Sequence, residues 1–195
     1  MSDGGHMLEI RFHGRGGQGT VVATILLARA FFKAGYQVQS FPFFGVERRG
    51  APVEAYLRVD KEKILLRTNV NSPDHVVVQD RTLLHSIDVT RGLKPGGWIL
   101  INSPNAPEEA ESFTGFHLAY VDAGRIATKY HLGTRTHPIT NTPMIGAFAR
   151  VLGMPPLEAV IGAIREDAPG EAEDNANAAE AAYNEVRTMK LRRKK

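Results

Sequence analysis

A glycine-rich hexapeptide between an alternating segment and a long apolar one constrains this chain more than any other feature. Leu8, Ile10 and Phe12 alternate with Glu9, Arg11 and His13, the two-residue period of a half-buried strand. Gly14-Arg15-Gly16-Gly17-Gln18-Gly19 follows at once. Residues 20–33 are then apolar nearly all round, which predicts a buried helix stopped by Gly35. Strand, tight turn and helix, in that order, are the context that gives G-x-G-x-x-G a meaning. The first glycine permits the turn, the second lets a ligand approach the backbone, and the third lets helix and strand pack closely. The helix start offers unpaired amides and a partial positive charge to an anion. Gly14, Arg15, Gly16, Gly17, Gln18, Gly19 and Thr20 are therefore the candidate ligand contacts, with Arg15 able to neutralise a phosphate. The same bare backbone would equally suit a neighbouring protein chain pressed against it.

A nicotinamide dinucleotide is argued against. That site needs an Asp or Glu about 20 residues on, at the end of the second strand, to bind the ribose. Val38-Gln39-Ser40-Phe41 stands there, with no acid. With a second strand at 36–40, residues 8–40 read as one βαβ unit. Residues 53–59 and 63–67 read as a hairpin turning at 60–62, an antiparallel insertion in a parallel pattern. The apolar runs at 75–79 and 98–102 suggest strands buried on both faces, with a short helix at 82–90 between them. A strand at 116–121 leads to a helix capped by Asp122, and further helices are expected at 144–152, with Pro143 at the first position, and at 156–164. The fold class is α/β: a Rossmann-like, mostly parallel sheet with helices on both faces, an antiparallel hairpin insertion and a C-terminal helical tail. Residues 1–7 form a flexible N-terminus, 8–165 the α/β domain and 166–195 a polar helical extension.

Phe41, Phe43 and Phe44 flank Glu47-Arg48-Arg49-Gly50 in a loop that contains Pro42 and Gly45. Aromatic anchors with arginines are what interface centres favour, and this many phenylalanines in so short a loop are hard to bury in one small domain. The chain has no cysteine, so thiolate ligands for iron–sulfur clusters or structural zinc are excluded on it. Its histidines form no metal-like pair, and no catalytic triad or carboxylate pair is marked. No catalytic residue and no metal ligand is assigned to this chain. Without a signal segment or an apolar run of membrane length, it reads as cytoplasmic, with no membrane partner. The formal net charge of +3 owes much to Lys190-Leu191-Arg192-Arg193-Lys194-Lys195, and no basic stripe interleaved with aromatics points to nucleic acid.

Together, the segments 12–19, Phe44-Gly45-Val46-Glu47-Arg48-Arg49-Gly50-Ala51-Pro52 and Asn141-Thr142-Pro143-Met144-Ile145-Gly146-Ala147 resemble the gamma subunit of thiamine-dependent 2-oxoacid:ferredoxin oxidoreductases. The resemblance covers about residues 8–165, and order and spacing both match. It implies an accessory role in a complex that decarboxylates pyruvate or a related aryl or branched 2-oxoacid, passes electrons to ferredoxin or another acceptor, and forms acyl-coenzyme A. Thiamine diphosphate, Mg²⁺ and [4Fe–4S] clusters would lie on partner subunits of alpha, beta and delta type. By the same resemblance, residues 14–20 would face coenzyme A phosphates or a neighbouring chain. Phe43, Phe44, Glu47, Arg48, Arg49, Gly50, Asn141 and Thr142 would lie near subunit contacts. The alternative is a stand-alone Rossmann nucleotide-binding protein; a ligand-free scaffold is a third reading.

Overall fold

The structure, a computed structural model, describes residues 6–43 and 50–189. Its strands are β1 (Leu8–Arg15), β2 (Gln37–Pro42), β3 (Pro52–Asp60), β4 (His75–Val78), β5 (Trp98–Asn102), β6 (His117–Val121) and β7 (Arg187–Met189). They form one seven-stranded sheet in the order β2-β3-β1-β4-β5-β6-β7. β1, β4, β5 and β6 are paired in parallel. β3 lies antiparallel between β1 and β2, and β7 lies antiparallel on β6. The sheet is mixed and mostly parallel.

The apolar runs are explained by burial on both sides. Val77 and Leu100 face one hydrophobic cluster, while Val76, Val78, Ile99 and Ile101 face the other. The first cluster is covered by helices α1 (Thr20–Lys33), α2 (Ala123–Lys129), α3 (Asn141–Leu152), α4 (Leu157–Asp167) and α5 (Ala172–Glu185). The second is covered by 3₁₀ turns at Arg81–His85 and Glu108–Phe113 and by their loops. Helical turns thus lie on both faces, but the α-helices share one.

Several sequence expectations are corrected. Residues 63–67 are not a strand; β3 takes β2 and β1 as partners instead, so the antiparallel insertion sits inside the βαβ unit. Alternation cannot name a strand's partner, and β1 offered a longer apolar face than residues 63–67. The helix expected at 82–90 is reduced to the 3₁₀ turn Arg81–His85. α3 begins at Asn141, so Pro143 stands third rather than first. α1 is not buried all round, since Ile25 is exposed and Phe32 is 65% exposed. The C-terminal helix is polar on one face only: Ala176, Ala178, Ala179 and Ala182 enter the main core. They lie against α3, where a Cβ on Gly146 would overlap the backbone of Ala179. His6, at the N-terminal end, is tied to the Asp74 carboxylate at 2.8 Å. Among the described residues, no helix is long and apolar enough to cross a membrane.

Candidate functional site

The chain leaves β1 through α1 towards β2 on one side of the sheet, and leaves β4 towards β5 on the other. The carboxyl ends of neighbouring β1 and β4 therefore mark a topological switch point, where open α/β sheets bind ligands. The glycine turn is built there. Gly17 and Gly19 have φ of 96° and 76°, the left-handed region that glycine enters without penalty. Gly19 caps α1, and no side chain caps the helix. The first helical bond runs from the Ala23 amide to the Gly19 carbonyl at 2.8 Å. The amides of Thr20, Val21 and Val22 thus have no partner among the described residues, as the first turn of a helix requires. Beside them opens a cavity of about 500 Å³, lined by the turn, Val53, Ile139, Asn141 and Pro169.

Each glycine has a different reason. At Gly14 a Cβ would overlap the Thr20 hydroxyl and lie 2.9 Å from Gln79 Oε1. At Gly19 it would lie 2.9 Å from Asn141 Nδ2, so this glycine admits the start of α3. At Gly17 nothing stands within 4 Å, so the backbone is open to an outside group. The Thr20 hydroxyl and both amide atoms of Gln79 are buried with no hydrogen-bond partner.

The rest of the turn is held from below by Asp80. Its carboxylate accepts from Gln18 Nε2 at 2.9 Å and lies 3.2 Å from Arg15 Nε. Burial opposes its ionisation, but hydrogen bonds from the Thr82 hydroxyl and amide and from Gln18, with the Arg15 charge, outweigh burial and hold it below the usual carboxylate range. Gln18 Oε1 accepts from the Arg15 amide at 2.8 Å. The Arg15 guanidinium also donates to Thr82 Oγ1 at 2.8 Å and to the Gly50 carbonyl at 3.0 Å. Arg15 is thus held by its own chain while still lining the cavity.

The aromatic loop meets this turn. Gly16 donates to the Ala51 carbonyl at 3.0 Å, and Gly50 donates to the Gly16 carbonyl at 3.1 Å. Phe43 is 45% exposed. Phe44, Glu47, Arg48 and Arg49 lie outside the described residues. Asn141 reaches the cavity wall, whereas Thr142 is fully buried and donates to Asn175 Oδ1 at 3.0 Å. Within this chain Thr142 braces α3 against α5 and offers no contact surface. Sequence reasoning missed Gln79, Thr82 and Asn175, and missed the hold that Asp80 has on the turn. A polar cluster directly after the buried β4 run, at a strand's carboxyl end, was the signal available.

An α/β sheet with a glycine turn at its switch point, joined to an arginine-bearing loop and to the start of α3, defines the class. The chain belongs to the pyruvate ferredoxin/flavodoxin oxidoreductase family, whose pattern it matches over residues 9–185. It is 50% identical over 190 residues to the pyruvate/ketoisovalerate oxidoreductases common subunit gamma of Thermococcus kodakarensis, covering 95% of this chain and 100% of that one. It is 50% identical over 181 residues to pyruvate synthase subunit PorC of Methanocaldococcus jannaschii, covering 92% and 97%. The crystal structure of pyruvate oxidoreductase subunit PORC from Thermotoga maritima superimposes with a TM-score of 0.80 at 38% identity, covering 95% and 100%. Within the family this is a gamma-type subunit of an oxidoreductase complex, and the stand-alone Rossmann reading is not favoured.

Proposed function

We propose that the glycine turn and the start of α1 form this chain's share of a coenzyme A path in a complex that oxidatively decarboxylates a 2-oxoacid. The 2-oxoacid would be pyruvate or a related aryl or branched acid, and the electrons would pass to ferredoxin or another acceptor. The observation that carries the reading is the set of unpartnered amides at Thr20, Val21 and Val22, opening on a cavity of about 500 Å³. A phosphate is recognised by such amides without a cationic side chain. That matters here, because Arg15 is already held by Asp80. The apolar wall of Val21, Val22, Val53 and Ile139 suits the uncharged arm of the same ligand.

Thiamine diphosphate, Mg²⁺ and [4Fe–4S] clusters belong, in this reading, to partner subunits of alpha, beta and delta type. With no cysteine, this chain offers no thiolate to a cluster. Its own residues position: they hold the turn open, present amides and join neighbouring chains. The assembly works in the cytoplasm.

Steady-state kinetics of the assembled complex test the assignment. In Gly17→Val, a Cβ and two methyls enter space that is open in the structure, at a φ hostile to a branched residue. The expected result is a KM for coenzyme A raised about tenfold or more, with kcat and assembly near wild type, as for lost ground-state binding. An unchanged KM for coenzyme A in a correctly assembled complex refutes it.

A further inference from the structure

The sheet face opposite the α-helices carries a row of polar side chains across β2, β3 and β1, and the row has a gap. The register sets Gln39, Arg58 and Glu9 side by side, then Phe41, Tyr56 and Arg11. Next come Glu54 and His13, with Phe43 bonded to Glu54 through its amide at 2.9 Å. At one end of this array an arginine, a carboxylate and a phenyl ring are combined. Arg58 Nε donates to Glu9 Oε1 at 2.8 Å, and its guanidinium lies 5.3 Å from the centre of the Phe41 ring. Planar, weakly hydrated guanidinium favours this double contact with carboxylate and aromatic face.

At the other end the carboxylate and the phenyl ring recur, and no cation among the described residues is hydrogen-bonded to the carboxylate. Glu54 accepts from the Tyr56 hydroxyl at 2.8 Å, and the Phe43 and Tyr56 rings lie 6.3 Å apart. His13 Nδ1 stands 3.7 Å from Glu54 Oε1, too far to bond, and is buried with no partner. Its other nitrogen accepts from Arg11 Nε at 3.0 Å, so Nδ1 carries the proton of a neutral ring. Burial, then the charges of Arg11 and Arg91, push His13 down to about 3, so it brings no positive charge at neutral pH. The Arg11 guanidinium is attracted by Glu54 but donates its hydrogen bonds to His13 and to the Val89 and Arg91 carbonyls. Glu54 keeps 23% of its side chain exposed, and Phe43 shows 45% of its surface beside it. Among the described residues no cation is hydrogen-bonded to this half-shielded carboxylate, which leaves it an open acceptor for one from outside the chain.

We infer that Glu54 and Phe43 form a receptor for an arginine of a neighbouring subunit, whose guanidinium donates to the Glu54 carboxylate and lies over the Phe43 ring, as Arg58 does with Glu9 and Phe41. This rests on the chain being one subunit of a larger complex. It also makes Glu54 an interface residue that the sequence reading did not single out.

The test uses the assembled complex with wild-type chain, Glu54→Gln and Phe43→Ala. Retention of this chain is followed by native size-exclusion against sodium chloride. Glu54→Gln should weaken association by about tenfold or more at low salt and flatten its salt dependence, because one desolvated charge pair is gone. Phe43→Ala, at an exposed position outside the core, should weaken association while keeping the salt slope. A structure of the complex should place a partner's guanidinium within about 4 Å of the Glu54 carboxylate. If wild-type chain fails to co-purify with any partner, the subunit reading itself falls. If it assembles and both variants keep its salt profile, or if Glu54 meets solvent or a cation of its own chain, the inference falls alone.

Discussion

Replacing Gly14 by alanine isolates why the motif begins with glycine. Gly14 has no positive φ, so alanine meets no backbone strain there. The obstacle is the Thr20 hydroxyl, which occupies the volume a Cβ would need, with Gln79 Oε1 at 2.9 Å behind it. One methyl forced into a packed site costs about 1–3 kcal/mol. For a chain of 195 residues, a Tm falls by about 2–4 °C per kcal/mol. Thr20→Ala removes the offending atom and leaves the Thr20 Cβ, at 3.3 Å, as a tolerable neighbour. Because that hydroxyl has no hydrogen-bond partner, Thr20→Ala alone should be nearly neutral. The double variant should then recover most of the loss, with a coupling energy of about 1–2 kcal/mol in a double-mutant cycle. Urea denaturation of the four proteins measures it. Equal cost of Gly14→Ala with and without the hydroxyl would refute the reasoning, since the backbone and not Thr20 would then demand glycine.

Asp80→Asn should loosen the turn by removing the acceptor shared by Arg15 and Gln18, at about 1 kcal/mol after allowance for solvent screening. Because the carboxylate is held below its ordinary 3.8, its contribution is complete at neutral pH and is lost as pH falls through the folded value; acid titration of stability should show the variant flatter there. His13 has the opposite charge type but the same sign of linkage. Held at about 3 against an ordinary 6.5, it weakens the fold as pH falls between those values, so His13→Gln should reduce the acid sensitivity of Tm in that window, and an unaltered slope would refute the buried neutral assignment. Gly146→Val should prise α5 from α3 at a cost of about 3 kcal/mol or more, read as a fall in Tm, and wild-type stability would deny the close approach at Ala179.

The sequence by itself determined the strand, glycine turn and helix at residues 8–33, because alternation, bare backbone and apolar run are local properties. It also carried the family resemblance, through three separated motifs, and the family itself matches over residues 9–185. The absence of thiolate ligands could be counted without any structure. What the sequence could not carry was pairing. Residues 63–67 had strand character but no partner, because β3 was claimed by β1 and β2. The fold brings Asp80 to Arg15 from 65 positions further along, a partnership that no local pattern encodes. The alanines of α5 looked neutral until α3 approached closely enough to need them. Register, burial and electrostatic partnership depend on which distant segments meet, and only the tertiary structure decides that.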